Sequence, residues 1–180
     1  MMRGEHAFMQ KIVGSILIIC AGTWIGFLKG NEVEERVKHM REIKHIFYAL
    51  RQEIAYTKLP LGDAFLRVAS RYPGVFASWL VMMKGKLMKR EEGNIERIWE
   101  SATRKCLGKT KLSNADMELL IRQGAYMGQQ DIGMQASTMD LFLEQWEERI
   151  LAATSQLENK RKLARCIGVL GSVFIVILLL

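Results

Sequence analysis

The sequence is short of the residues that build sheets, cross-links and metal sites. Two prolines, Pro60 and Pro73, and little β-branched alternation argue against short strands joined by tight turns. Cys20, Cys106 and Cys166 are unevenly spaced and two lie in or beside apolar stretches. They make neither a disulfide framework nor a zinc motif, and a reducing compartment suits the middle of the chain. His39 and His45 fall on different faces of a helix, not on the one face that lets two imidazoles share an ion. Acidic residues are outnumbered, 19 against 26 lysines and arginines, for a net charge of +7 and a pI near 9.5. Such an excess serves nucleic acid binding or an anionic membrane leaflet, and the placement of the charges has to decide between them.

Two apolar runs are what the chain does have. Ile12 to Leu28 carries no charge, is bracketed by Lys11 and Lys29, and spans roughly 25 Å as a helix. Trp24 sits where an interfacial indole would, and Gly22 and Gly26 form a G-x-x-x-G face for helix packing. Ile19 is too bulky for lipoprotein-type cleavage before Cys20, so this helix is expected to stay uncleaved. The second run, Ile167 to Leu180, extends back to Leu163 if Arg165 snorkels, and Gly168 and Gly171 share a face there. Lys160, Arg161, Lys162 and Arg165 form a basic collar before it, and basic residues also crowd the stretch after Lys29. The positive-inside bias therefore puts the middle of the chain in the cytoplasm. The expected organisation is a transmembrane helix over 12–28, one helical domain over 31–162 and a transmembrane helix over 163–180.

The domain reads as all-α, a bundle of about six helices. Val33, Val37, Met40, Ile43, Phe47, Leu50 and Ile54 recur at helical spacing, giving a first helix to about Lys58 that Pro60 ends. Helices over Leu61–Tyr72, Val75–Arg90 and Ile95–Leu107 follow, the last two with stripes at Trp79, Leu80, Met83 and Leu87 and at Ile98, Trp99 and Ala102. Ser113 and Asp116 read as a capping box opening a fifth helix through Leu119, Leu120, Gln123 and Tyr126 to Gly128. A last helix from about Asp131 carries Met139, Leu143, Trp146, Ile150, Ala153 and Leu157, with no proline or glycine between Met134 and Arg165 to stop it short of the membrane.

No catalytic constellation, cofactor box or metal set emerges. Gly108-Lys109-Thr110 imitates the end of a phosphate-binding loop, but Thr103 stands where its first glycine belongs and a helix precedes it. Asp140, Glu144, Glu147 and Glu148 flank Arg149 as a solvated or docking face, and a membrane enzyme would have only this carboxylate cluster to work with. Lys84, Lys86, Lys89, Arg90, Arg104, Lys105, Lys109 and Lys111 form a basic set diluted by Glu91, Glu92, Glu96 and Glu100. Aromatic groups are not interleaved with it, so nucleic acid is not expected and lipid or protein contact is favoured. A tether binding anionic lipid or nucleic acid through that set is the alternative.

Several motifs bear a family likeness. Gly22-Thr23-Trp24-Ile25-Gly26, Leu50-Arg51-Gln52-Glu53-Ile54-Ala55-Tyr56, Leu59-Pro60-Leu61, Ala64, Trp99, Gly124, Gly128, Asp131, Gln135 and Asn159-Lys160 together resemble stage III sporulation protein AB over nearly the whole length. Gln123 and Met127 depart from that pattern, which bears on packing. The resemblance implies a cytoplasmic helical domain similar to the F-type platform proteins of type II secretion and type IV pilus machines. It further implies a non-enzymatic scaffold in the mother-cell membrane at the forespore boundary. There it would couple an assembly ATPase, stage III sporulation protein AA, to channel subunits, without a cofactor and with room for a homo-oligomer. Glu53, Tyr56, Asp140, Glu144, Glu147 and Glu148 are then the candidate partner contacts, and Gly22, Gly26, Gly168 and Gly171 the candidate membrane-helix contacts.

Overall fold

The computed structural model describes residues 32–57, 59–89, 94–127 and 132–179. Side chains of the last helix are described between 133 and 166, apart from 161, 164 and 165. These residues form six helices and no strand: α1 over 32–57, α2 Leu61–Ala69, α3 Val75–Lys89, α4 Ile95–Leu107, α5 Asn114–Met127 and α6 Ile132–Leu179. The chain divides into two compact units, Glu35–Ala152 and the remainder. The expected span 12–28, with Gly22 and Gly26, lies outside the described residues. So do the side chains of the expected span 163–180 beyond Cys166, including the Gly168 and Gly171 positions, although the backbone is helical to Leu179. Among the described residues no helix is long and apolar enough to cross a membrane.

Helix boundaries in the unit Glu35–Ala152 have local chemical causes. Pro60 (φ −54°, ψ 140°) ends the approach from α1, and its carbonyl accepts from the Asp63 and Ala64 amides as α2 begins. Helix α2 ends at Ala69, short of the expected Tyr72. The Arg71 and Tyr72 amides turn back to Val68 and Ala69 at 2.9 and 3.4 Å, and a residue before proline avoids the helical region. Gly74 then takes φ 85°, a left-handed turn that a side chain would strain. Asn94 caps α4 by accepting from the Glu96 amide at 3.1 Å. The capping box of α5 is formed in both directions: Ser113 Oγ accepts from the Asp116 amide at 3.2 Å, and Asp116 Oδ2 accepts from the Ser113 amide at 3.0 Å.

The stripes read from periodicity are buried in α1, α4 and α6, except that Val33 at the start of α1 is half-buried. In α5 the inward line runs through Leu120, Gln123, Gly124 and Met127, which leaves Tyr126, expected inside, 46% exposed. In α3 Phe76 joins Trp79, Leu80 and Met83 in the core, while Leu87 is half-buried.

Three tryptophans, fully buried, organise this core. Each finds a partner for its indole N–H on another helix: Trp79 donates to Thr103 Oγ1 at 3.1 Å, Trp99 to the Leu120 carbonyl at 2.8 Å and Trp146 to the Met40 carbonyl at 2.8 Å. Trp99 stands edge-on to Trp79 at 5.3 Å and to Phe47 at 6.0 Å, and lies 6.1 Å from Phe65. Phe47 continues the aromatic chain to Phe142 at 4.2 Å, which stacks on Trp146 at 5.2 Å. On its remaining side the Trp99 ring lies against Gly124 so closely that a Cβ there would overlap Cδ1, Cγ and Cβ of the tryptophan.

These contacts set opposite expectations for two helical glycines. Gly124→Ala drives a methyl into a buried ring that cannot yield, and should destabilise the unit by about 1–3 kcal/mol. Gly85 faces open space, so Gly85→Ala should stabilise it by about 0.5–1 kcal/mol through helix propensity. Thermal unfolding of the purified chain followed by circular dichroism tests the pair; equal shifts would contradict this packing.

Candidate interaction surface

Helices α1 and α6 run antiparallel, with Arg51 paired to Asp140 at 2.5 Å toward one end and Lys44 to Glu147 further along. Between them lies an open groove of about 430 Å³ lined by Lys44, Tyr48, Leu143, Glu144, Glu147 and Glu148, with Leu151 at its rim. Leu143 is buried at the floor, whereas Tyr48 is 46% and Leu151 62% exposed. Glu144 and Glu148 are exposed and have no ion-pair partner among the described residues. They stand one turn apart, where like charges repel and a cation between them is favoured.

The candidates named from the sequence do not all belong to this groove. Asp140 lies at its Arg51 end, and Tyr56 stands 77% exposed near the end of α1. Glu53 is buried, and its carboxylate is taken up inside the fold by Arg67 at 3.0 Å and Arg71 at 2.8 Å. The Arg67 hydrogen bond, opposed by burial and helped by both arginine charges, holds Glu53 below the ordinary carboxylate range. Glu53 therefore ties α1 to α2, and the side chains that stand over it toward solvent are Arg67 and Arg71.

Asp116 was legible only as a cap, yet it is the most constrained charge in the unit. Fully buried, it accepts from Arg36 at 2.7 and 3.0 Å and from Arg149 at 3.2 Å, which joins α1, α5 and α6. Burial pushes its carboxyl up, but the Arg36 hydrogen bond, the two Ser113 contacts and the Arg36 charge outweigh it and hold the group below the usual aspartate value. The pattern that could have signalled this is an Arg at α1 and another at α6, each off its apolar stripe, facing an Asp at the start of α5.

Other chemically suggestive residues have structural partners. Gly108 caps α4, with its amide on the Arg104 carbonyl, which accounts for the phosphate-loop imitation. His39 Nδ1 accepts from the Lys111 amide at 3.4 Å and packs against Phe76. Burial pushes the Cys106 thiol up, against the opposing charge of Lys105, and so keeps it protonated. Among the described residues no three metal-ligating side chains come together. In the basic set Lys84 is paired with Asp63, Lys86 donates to Ser101, and Arg104 is held by Glu100 and Glu118; Lys105 and Lys109 stay exposed, and Arg90 lies outside the described residues.

Fold and surface together define an all-α bundle whose conspicuous feature is a charged, partly apolar groove. The family model for stage III sporulation protein AB matches residues 11–180, and the chain belongs to that family, a family of sporulation proteins. It is 24% identical to stage III sporulation protein AB of Bacillus subtilis (strain 168) over 172 residues, 96% of this chain and 100% of that protein. A solved structure of a stage III sporulation protein AB has the same fold, with a TM-score of 0.63 at 22% identity over 69% of this chain and 97% of the other.

The buried carboxylates fix the sign of an acid response. A folded-state value below the unfolded one contributes stability above the ordinary carboxylate pKa and loses it as pH falls through the folded value. Unfolding midpoints should thus be flat above about pH 5 and fall below about pH 4. Asp116→Asn should flatten that slope, and Asp116→Ala should cost about 3 kcal/mol by stranding Arg36 and Arg149. Urea titrations across pH provide the check; a slope unchanged by Asp116→Asn would remove Asp116 as its source.

Proposed function

We propose that the chain is a non-enzymatic platform of the mother cell–forespore channel apparatus, anchored by helices 12–28 and 163–180 with its helical domain in the cytoplasm. Its task is to dock the assembly ATPase, stage III sporulation protein AA, to the membrane subunits. The observation that carries this reading is the α1–α6 groove: in a chain of net charge +7 it gathers Glu144, Glu147 and Glu148 over an apolar floor, two of them unpaired. A surface opposite in sign to the rest of its molecule selects a basic partner and speeds the encounter. The likeness to F-type platform proteins that the family resemblance implies for the helical domain supports the same role, and so do the apolar runs with their basic collars.

Calorimetry of the full chain in detergent against the purified ATPase should show micromolar binding. Joint Glu144→Lys and Glu148→Lys substitution should weaken it by about tenfold or more, while Lys105→Glu should not. A second reading, a tether for anionic lipid or nucleic acid, draws on exposed Lys105 and Lys109. Salt-sensitive binding to anionic vesicles or DNA that Lys105→Glu abolishes, with no ATPase binding, would replace the platform reading by that one.

A further inference from the structure

Helix α6 leaves one face uncovered between Met134 and Ala152. Met134, Leu141, Gln145, Glu148 and Ala152 share one side of the helix and all are exposed, Met134 and Leu141 by 57% each. The two borders of this face differ in sign. On one border stand Glu144 and Glu148, unpaired among the described residues. On the other, a groove of about 350 Å³ between α5 and α6 is lined by Arg122, exposed and likewise unpaired, and by Gln123 and Tyr126. Gln123 is only 5% exposed, and its buried Nε2 has no hydrogen-bond partner among the described residues. An amide donor in that position lowers stability until an acceptor reaches it.

We propose that this face is covered by α6 of a second copy of the chain, the two helices lying parallel. A purely acidic helix would answer Arg122 and repel at Glu144 and Glu148, and a purely basic helix would do the reverse; the chain's own face carries both signs. Symmetry selects the direction. A two-fold axis along the helices sets the Arg122 border of each copy against the Glu144–Glu148 border of the other, whereas an antiparallel pair sets like against like.

The register follows from α5. It runs antiparallel to α6, with Asp116 beside Arg149 and Met127 beside Gln135, so Arg122 stands level with Leu141 and Gln145. In an unshifted parallel pair it meets Glu144 of the other copy, with Leu141 on Leu141 at the seam. The contact is isologous and closes at two copies. It shares Glu144 and Glu148 with the groove proposed for the ATPase, so the two contacts exclude each other; Arg122 belongs to self-association alone and separates them.

The test uses the full chain in detergent, with Cys20, Cys106 and Cys166 replaced by serine. Light scattering should report a dimer, and Leu141→Cys should cross-link to itself on oxidation. Arg122→Glu should weaken association by about tenfold or more, with helix content unchanged. Adding Glu144→Arg and Glu148→Arg to that variant should restore the dimer. A monomeric parent chain would overturn the proposal. A dimer indifferent to Arg122→Glu, a triple variant that stays apart, or cross-linking of Met134→Cys with Ala152→Cys, the antiparallel signature, would each do the same.

Discussion

The indole of Trp99 is the point through which the helices of the folded unit are fixed to one another. It touches Phe47 of α1, Phe65 of α2, Trp79 of α3 and Gly124 of α5, and its N–H is committed to the Leu120 carbonyl. A ring this size packs at interior density only if one neighbour gives up its side chain, and Gly124 is that neighbour. The distance between α4 and α5 is thereby set, and with it the place of Arg122 on the outer side of α5. Through Phe47 and Phe142 the same aromatic chain reaches Trp146 and holds the antiparallel α1–α6 pair.

Charge is divided between two tasks. Asp116 and Glu53 are spent inside the fold, each between two arginines of other helices or turns, and act as cross-ties whose removal strands cations. Glu144 and Glu148 are left unpaired on a rigid helix, beside exposed Tyr48 and Leu151. In the proposed platform role the buried pairs would keep the helices in register, and the free carboxylates would meet partners without disturbing the core.

Much of the bundle could be read from the sequence because its helices are strongly periodic and their ends carry local signals. Pro60, Pro73-Gly74 and the Ser113–Asp116 box placed boundaries that the structure reproduces within a few residues, with α2 the exception, since a proline forbids only its predecessor and the helix had already turned at Ser70. What periodicity could not supply was the pairing of distant charges. Glu53 sits beside the apolar stripe of α1, and no local signal pointed to Arg67 and Arg71 closing over it. Asp116 reads as a cap, since nothing local announces Arg36 and Arg149. Tyr126 fell on the wrong side because the α5 axis is rotated to bring Gly124 against Trp99.

The platform account rests on which face of the domain meets protein in the living cell. Photo-crosslinking from position 144 and, in parallel, from position 105 during sporulation measures this directly. The account predicts that a probe at Glu144 captures the assembly ATPase and that one at Lys105 does not. Capture of lipid or nucleic acid at Lys105, with no ATPase adduct at 144, would contradict it.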